Sequence, residues 1–591
     1  MLKAIKNLFK SVREYKVYAF ITPLFMIGEV SMECAIPYVM TILTKTARTE
    51  GAVLSDILPY ILLLVGGAII SLTCGILGGT FAAKASAGFA KNLRLDLYKK
   101  VQTFSFTNID KFSASSLITR MTTDIQTLQM SFGMIIRAVI RAPLMMIFST
   151  IMAFISGGQL AWIFIGLVPI VAIVFILIIA KAMPTFTRLF KRYDKMNESV
   201  QENISGIRVV KSYVREEYEK EKFKTTSDSL AKDFIKAEKI VAWNNPALNF
   251  AIHAANILIC FIGSHIIYGN YLAGLTPEEQ KAILSVEDMS ALQTYGVQIL
   301  MSLMFVSMIL VMLAMSIEAI KRVNEVLIEE PTIHNPENPV YELNDGSIVL
   351  KNVDFKYDEH AERNTLSNIN VDIKSGEFVG ILGSTGSGKT SLINLISRLY
   401  DATSGDVIIG GHDVKEYDLV SLRDSVSVVL QKNVLFSGTV ASNLRWGDLN
   451  ASDEEVKKAA ETAQIADFIE SLPNKYESTV EPLGNNFSGG QKQRLCIARA
   501  ILKKPKILIL DDSTSAVDTK TDSLIRKGLK EEIPETTKIV VAQRISSIQD
   551  ADLIIVMDNG EINALGTHEE LLKNNEIYQE VYYSQTKKGG K

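Results

Sequence analysis

The sequence contains few of the residues that build disulfide frameworks or zinc sites. Its 591 residues include only four cysteines, Cys34, Cys74, Cys260 and Cys496, and no two of them have CxxC spacing. Three of the four lie in apolar stretches, where a cysteine usually packs as a small hydrophobic side chain. The cysteines therefore support neither a disulfide framework nor a metal site.

The chain also lacks a strong net charge of either sign. It has 62 Lys and Arg residues against 65 Asp and Glu residues, a formal net charge of -3, and the basic residues are spread along loops. A nucleic-acid-binding protein instead concentrates positive charge in a patch or stripe. We therefore expect no nucleic acid among its partners.

The N-terminal region lacks the small-residue cleavage site that would end the apolar run of a secretory signal peptide, after the first 16 residues. They are basic and amphipathic, and the apolar run that follows them is long. A signal peptide has a short apolar core that ends at a cleavage site. We therefore expect an interfacial helix that leads into a retained first membrane span.

Apolar residues are concentrated before about residue 320, in six long segments. A helix needs about 20 mostly apolar residues to cross a bilayer core. The predicted spans cover residues about 17–43, 54–84, 131–156, 159–182, 242–270 and 290–317. Membrane lipids are therefore expected to surround a transmembrane domain over residues 1–321.

Two long connections between these spans, 84–130 and 181–239, are polar and basic but helical in pattern. They predict helices that continue beyond the membrane, at about 1.5 Å per residue. Because Lys and Arg crowd these connections and the N-terminus, the positive-inside rule places both termini and both connections in the cytoplasm. Short breaks at Thr107–Asp124 and Ile204–Glu216 predict transverse elements that touch the soluble domain, with ordinary loops as the alternative.

After a proline-bearing linker at 322–346, residues 347–591 show a mixed α/β pattern. An apolar strand, Glu377–Leu382, runs into a glycine-rich loop and then a helix, which is the context of a phosphate loop. Loop amides would surround phosphates, Lys389 would reach the β and γ groups, and Thr390 would bind Mg²⁺. ATP and Mg²⁺ are therefore the expected cofactors. The predicted ATP-binding residues here are Gly383, Ser384, Thr385, Gly386, Ser387, Gly388, Lys389, Thr390 and Ser391.

Two further motifs follow in this half. The run Ile507–Leu510 has the pattern of a buried strand and ends in Asp511, a carboxylate suited to holding Mg²⁺. Ser488, Gly489, Gly490 and Gln491 open a helix and offer a hydroxyl and amides to an anion, although this short stretch alone is weak evidence.

The predicted fold class is an α-helical six-span transmembrane domain with long cytoplasmic helix extensions, followed by an α/β P-loop nucleotide-binding domain.

In this order, the motifs resemble those of half-size ATP-binding cassette (ABC) exporters over essentially the whole chain. The resemblance implies that Tyr357 stacks on adenine and that Gln431 links Mg²⁺ and water to the membrane domain. It also implies that Asp518 lies in the dimer-facing D-loop. Two cassettes would then close head to tail, so that each ATP lies between one subunit's phosphate loop and the other's signature, here Ser488–Gln491.

Several residues depart from the family pattern, three of them at positions that bear on hydrolysis or on cross-talk between the subunits. Asp512 stands where the family has a glutamate that polarises the attacking water, and Gln543 replaces a histidine. Aspartate is shorter by one C–C bond, about 1.5 Å, and general-base catalysis contributes about 10²–10⁴-fold. A glutamine also cannot become cationic near neutral pH as histidine can. Pro482 stands where a glutamate usually precedes the signature, which weakens the expected cross-talk to the partner.

These departures predict the degenerate-site subunit of a heterodimeric, multidrug-type exporter. A second half-transporter would carry the missing glutamate and histidine, and this chain would supply its intact signature to the partner's hydrolytic site. Neutral drift in an active homodimer is the alternative. A dedicated lipid, peptide or metabolite exporter and an ATP-gated regulatory subunit remain alternative functions. The absence of a fused second half and of an organellar presequence favours a bacterial plasma membrane.

Charged residues within the spans suggest where a small amphipathic substrate could pass. Glu29 and Glu33 share a helical face in the first span, as Arg137 and Arg141 do in the third. Charges at membrane depth usually face a cavity or one another, so a substrate path for cationic drugs and structural pairing both remain open. Methionines of the sixth span offer an adaptable apolar lining or ordinary core packing. They are Met301, Met304, Met308, Met312 and Met315.

Overall fold

The computed structural model describes residues 2–49, 51–272, 284–358, 360–512 and 517–586. The chain divides into two compact units. The first comprises Met1–Gln102 and Ala114–Glu329, and the second comprises Thr103–Ser113 and Glu330–Lys591. The segment Thr103–Ser113 lies within one of the predicted cytoplasmic connections, yet it belongs to the unit that holds the nucleotide-site motifs.

The described part of the first unit is built from long helices. α3 has 49 residues, which corresponds to a length of about 70 Å at 1.5 Å per residue. This is more than twice the length needed to cross a bilayer core, so the helix extends well beyond the predicted span. The helices are α1 Leu2–Phe9, α2 Lys16–Ala47, α3 Leu54–Gln102, α5 Ala114–Thr119, α6 Ile125–Gly157, α7 Trp162–Ser205, α8 Ile207–Ser212, α9 Glu216–Val241, α10 Asn244–Leu272 and α11 Val286–Ile328, and α4 Phe106–Phe112 belongs to the second unit.

By length and composition, five helical runs among the described residues could cross a membrane, where the sequence predicts six spans. The five runs overlap all six predicted segments, because the third run contains two of them. Within that run α6 ends at Gly157 and α7 begins at Trp162, after a 3₁₀ turn over Gly158–Ala161. The runs are Lys3–Ala47, Leu54–Gln102, Ala114–Phe186, Glu216–Gly269 and Val286–Ile328.

Apolar packing joins the helices of the first unit. α2 packs along α3, and α11 packs along α6. A buried cluster around Leu292, Tyr295 and Ile299 of α11 also includes Phe164 of α7 and residues of α10. The Tyr295 hydroxyl donates to the Cys34 carbonyl of α2 at 2.9 Å, so its polar atom is satisfied inside this core.

The predicted breaks in the two long connections contain short helices. α3 ends at Gln102 and is followed by α4 and α5, and α7 ends at Ser205 and is followed by α8. A capping box at Ser105 starts α4, since the Ser105 and Asn108 side chains each bond to the other residue's backbone. Local polar residues thus both interrupt the long helix and begin the short one.

The second unit contains an α/β core over its described residues. A four-stranded antiparallel sheet has the order β2-β1-β4-β5, a six-stranded sheet has the order β12-β11-β3-β10-β9-β6, and β7 pairs with β8. The strands are β1 Ile348–Phe355, β2 Leu366–Ile373, β3 Phe378–Gly383, β4 Ser404–Ile409, β5 His412–Asp413, β6 Val426–Val429, β7 Gly438–Thr439, β8 Thr479–Val480, β9 Ile507–Asp511, β10 Thr537–Val541, β11 Leu553–Asp558 and β12 Glu561–Gly566.

In the six-stranded sheet, β6, β9, β10, β3 and β11 are parallel and β12 is antiparallel. Every residue of β9 and β10 is buried, as expected for central strands covered on both faces. Helices of the unit are α12 Lys389–Ile396, α13 Leu419–Ser425, α14 Val440–Leu444, α15 Asp453–Thr462, α16 Ala466–Ser471, α17 Gly489–Leu502, α18 Thr519–Glu532, α19 His568–Asn574 and α20 Glu576–Thr586.

Candidate active site

The predicted site residues meet at one edge of the six-stranded sheet. The glycine-rich loop follows β3, and Asp511 ends β9. Gln543 lies two residues beyond β10, and Gln431 lies two residues beyond β6. Because these four strands are parallel, their carboxyl ends share an edge, which is where open α/β sheets bind ligands.

The loop between β3 and α12 has the backbone of a phosphate cradle. Gly386 and Gly388 have φ values of 87° and 96°, a region that favours glycine. Lys389 begins α12, and its ammonium donates to the carbonyl oxygens of Gly383 at 2.9 Å and Ser384 at 2.6 Å. Burial lowers the pKa of Lys389, while the charges of Asp511 and Asp512 oppose that shift. The loop thus holds a cation against a helix N-terminus, an arrangement that suits phosphate.

Thr390 and Asp511 provide oxygen ligands beside this loop. The Thr390 hydroxyl donates to the Asp511 carboxylate at 3.2 Å. Burial raises the pKa of Asp511, as does the charge of Asp512, whereas Thr390 and Lys389 lower it. Hydroxyl and carboxylate oxygens are the donors that Mg²⁺ prefers. No group of three or more His, Cys, Asp or Glu in the described residues could hold a metal ion. Mg²⁺ held by Thr390 and Asp511 would take its remaining oxygen ligands from water or phosphate.

Asp512 and Gln543, which are predicted to depart from the family pattern, are direct neighbours in the structure. The Gln543 amide donates to Oδ2 of Asp512 at 3.1 Å, and the Gln431 amide approaches the same oxygen at 3.5 Å. A histidine at position 543 could carry a positive charge as imidazolium, whereas the Gln543 amide is neutral. The Asp512 oxygen that faces these residues is thus occupied by neutral donors.

Two hydrogen bonds to neighbouring elements fix the backbone of Asp512. Its φ is 48°, in the left-handed region that aspartate tolerates better than most residues. Its N–H donates to the Val541 carbonyl at 3.1 Å, and its carbonyl accepts from the Gln493 amide at 3.2 Å. Gln493 is buried on α17, and the sequence analysis did not single it out. The signature helix therefore positions the residue that follows Asp511.

Tyr357 lies at the side of the phosphate loop. Its hydroxyl is 3.0 Å from the Ser391 hydroxyl, and its side chain is exposed. The rings of Phe355 and Tyr400 meet its ring edge to face, with centroids 4.7 Å and 5.1 Å away. This packing orients an exposed aromatic ring beside the loop, as adenine stacking requires.

The signature residues line a separate cavity of about 440 Å³. Ser488 caps α17 in a capping box with Gln491, so both side chains already hold the helix start. Arg494 and Asp518 line the same cavity. The sequence analysis did not identify Arg494, although it lies four residues after Gly490 and so shares its helical face. A helix N-terminus and a guanidinium together suit an anion.

Two family models match the chain. The ABC transporter transmembrane region matches residues 19–277, and the ABC transporter model matches residues 366–515. The chain is 31% identical to the uncharacterized ABC transporter ATP-binding protein YfiB of Bacillus subtilis, over 97% of each chain. It is 34% identical to the uncharacterized ABC transporter ATP-binding protein Rv1273c of Mycobacterium tuberculosis, over 88% of each chain. The chain belongs to the ABC transporter family.

Further comparisons agree with this assignment. The transporter is 31% identical to the probable multidrug resistance ABC transporter ATP-binding/permease protein YheI of Bacillus subtilis, over 84% of this chain and 83% of that protein. Its fold matches a bacterial Atm1-family ABC exporter with ATP bound, with a TM-score of 0.79, 22% identity and coverage of 97% and 98% of the two chains. The chain is thus a multi-pass membrane protein with the fold of a half-size ABC exporter and an ATPase-type nucleotide-binding domain.

In this ABC transporter, α4 is bonded to the nucleotide-binding unit. The Tyr400 hydroxyl donates to the Asp110 carboxylate at 2.5 Å, and the rings of Tyr400 and Phe106 lie 6.0 Å apart. Asn108 donates to the Glu330 carbonyl at 3.0 Å. Burial, together with the Asp110 hydrogen bond and charge, raises the pKa of Tyr400. Since Tyr400 also packs on Tyr357, a short path joins α4 to the adenine side of the site.

We expect Tyr400→Phe to loosen α4 without removing the aromatic packing. A hydrogen bond to a charged group contributes about 1.5–3 kcal/mol, so amide hydrogen exchange in residues 106–112 should accelerate about tenfold or more. Tyr417→Phe is the matched control, because the Tyr417 hydroxyl donates to the Ile409 carbonyl within the same unit. Equal exchange in α4 for both variants would show that the Asp110 bond does not hold the helix.

In the first unit of the transporter, Glu29 and Glu33 both lie close to Arg141. Arg141 lies 2.8 Å from Glu33 and 3.5 Å from Glu29. Glu29 is buried, and its Oε2 has no hydrogen-bond partner among the described residues. Three of the four span charges, Glu29, Glu33 and Arg141, are therefore paired with one another.

Proposed function

We propose that this transporter is an ATP-driven exporter of amphipathic compounds in a bacterial plasma membrane. Six spans, with both termini in the cytoplasm, fit the turn at Gly158–Ala161 and the placement of Lys and Arg in the long connections. The relatives named above are bacterial, and the name of one describes a probable multidrug resistance transporter. These observations support the direction and class of transport.

Its own nucleotide site holds ATP and hydrolyses it slowly. The observation that carries this proposal is the hydrogen bond from Gln543 to the short carboxylate of Asp512. A general base must lie within hydrogen-bond reach of its water, and Asp512 falls short of a glutamate's reach by about 1.5 Å. Loss of that base raises the barrier by about 3–5 kcal/mol. The left-handed loop glycines, the Lys389 ammonium and the Thr390–Asp511 pair support the binding of ATP and Mg²⁺ in this proposal.

The second site of the working transporter belongs to a partner half-transporter. This chain provides Ser488–Gln491 at the N-terminus of α17, with Arg494 in the same cavity. The partner would supply the two residues that this chain lacks: the glutamate after its Mg²⁺-binding aspartate (the Walker B glutamate) and the histidine at the position of Gln543 (the switch histidine). Its ATP would then lie against this surface. Because slow turnover at one site leaves the two cassettes associated, hydrolysis at the partner's site alone drives each transport cycle.

Purification of the chain alone and with the product of the neighbouring gene tests the proposal. We expect the chain alone to bind ATP but to hydrolyse it at least about 10²-fold more slowly than the pair, because the general base is lost. Lys389→Ala in the lone chain is the control, since removal of the loop cation should abolish the ATP binding. Brisk, cooperative ATPase activity from the lone chain would contradict the heterodimer and favour an active homodimer.

A further inference from the structure

A cavity of about 730 Å³ lies among α3, α6 and α11 of the first unit. Its volume is in the range of sites for drug-sized ligands, about 300–1,000 Å³. Most of its wall is apolar, and its methionines can adapt to ligands of different shape. The residues that line it are Gly79, Ala82, Ala83, Ser86, Gln129, Met130, Gly133, Met134, Arg137, Ala138, Arg141, Ala142, Met145, Val297, Gln298, Met301, Ser302, Phe305 and Met312.

The charge on this wall is entirely positive. Among the described residues that line it, only Arg137 and Arg141 are charged, and neither Glu29 nor Glu33 belongs to this lining. Both glutamates lie within 3.5 Å of Arg141, so two carboxylates compensate that one guanidinium. The second carboxylate brings the net formal charge of these four side chains to zero, and Arg137 is the member of the group that forms no ion pair with the described residues.

Arg137 has no ion pair or hydrogen bond to any residue that the structure describes. Its guanidinium lies beside Gly79 of α3, 4.0 Å from the position that a β-carbon there would take. Arg137 lies six positions after the start of the predicted third span, a distance of about 9 Å along the helix. A cation at membrane depth is costly unless it is paired or faces a cavity with a polar occupant.

Three other polar side chains of the wall, Gln298, Ser86 and Ser302, are hydrogen-bonded within the protein. The Gln298 side chain accepts from Ser149 at 2.9 Å and approaches the Glu33 carbonyl at 3.4 Å. The Ser86 and Ser302 hydroxyls donate to carbonyls of their own helices. Gln129 lies two turns before Arg137 on α6, and it has no hydrogen-bond partner among the described residues. Among the described residues of the wall, the donors without a partner therefore include the Arg137 guanidinium, the Gln129 amide and the buried Nε of Arg141.

We infer that this cavity binds amphipathic anions, with an acidic group on Arg137 and an apolar body against the methionines. The inference rests on the proposed export function and names its substrate class. It reverses the expectation of cationic compounds, because Arg141 holds the glutamates that would attract them. A guanidinium can take a carboxylate through two parallel hydrogen bonds, which gives the site its charge selectivity.

A matched pair of fluorescent probes tests the charge preference. Dansyl-6-aminohexanoate and dansylcadaverine share a dansyl body and a five-methylene chain but end in a carboxylate and an ammonium group. Binding is measured by dansyl fluorescence with the full-length protein in phosphatidylcholine nanodiscs, after subtraction of empty nanodiscs. We expect the carboxylate to bind at least about tenfold more tightly than the amine, a difference of about 1.4 kcal/mol.

Variants assign that preference to Arg137. Arg137→Gln is expected to weaken carboxylate binding about tenfold and leave amine binding unchanged or stronger, whereas Arg137→Lys should retain part of the preference. Arg188→Gln removes an exposed arginine of α7 outside the cavity and should change neither affinity. Tighter binding of the amine, or full carboxylate affinity in Arg137→Gln, would overturn the inference. Because the assay needs no ATP, anion binding without transport would contradict the proposed export and leave this site standing.

Discussion

ATP hydrolysis at this chain's own site should rise by about 10²-fold or more when Asp512→Glu and Gln543→His are combined. The longer carboxylate would regain reach to the water, and the imidazole would supply a donor that can carry charge. The Asp512 carboxylate now accepts the Gln543 amide at 3.1 Å, so the two positions are in direct contact. Each single variant should therefore recover much less activity than the pair of changes, because groups that act together are not additive.

The measurement requires an assembled transporter in which only this site can turn over. The partner's Walker B glutamate is replaced by glutamine, and hydrolysis is then followed with this chain as wild type, single variants and double variant. Lys389→Ala added to the double variant is the control that assigns the new activity to this site. An unchanged rate in the double variant would show that Asp512 and Gln543 do not limit hydrolysis here.

Gly489→Asp is expected to lower ATP hydrolysis by the assembled pair about 10²-fold, since like charges brought together cost several kcal/mol. Gly489 is the first residue of α17, where the helix N-terminus faces the signature cavity. An acidic side chain favours folding at that position because it complements the helix dipole. The loss would therefore reflect repulsion of the partner's nucleotide and not damage to the helix.

Two comparison variants make this result specific. Val420→Asp introduces the same charge near the start of α13, at an exposed residue outside both nucleotide surfaces, and should leave hydrolysis unchanged. Asp512→Asn alters the slow site and should change the pair's rate by less than about twofold, since that site contributes little turnover. If Asp512→Asn and Gly489→Asp reduce hydrolysis equally, both sites turn over and the asymmetry is wrong.

Much of the nucleotide-binding fold could be predicted from local sequence. The strand before Gly383, the helix that starts at Lys389 and the buried strand that ends in Asp511 each have a pattern confined to a few residues. Short-range backbone preferences and hydrophobic runs determine such elements. The long helices of the first unit were predictable for the same reason. The predicted count of six spans depends on a four-residue turn at Gly158–Ala161, whereas length and composition alone give five runs among the described residues.

Local sequence patterns do not predict contacts between residues that are distant in the chain. The sequence by itself determined which residues stand at positions 512 and 543, and its resemblance to half-size ABC exporters predicts a glutamate and a histidine there. Only the register of parallel strands β9 and β10 decided that their side chains meet. Likewise, the sequence placed two glutamates and two arginines in the spans, but helix packing decided that Arg141 takes both carboxylates. Side-chain pairing depends on which faces of separate elements meet, and no local period encodes that choice.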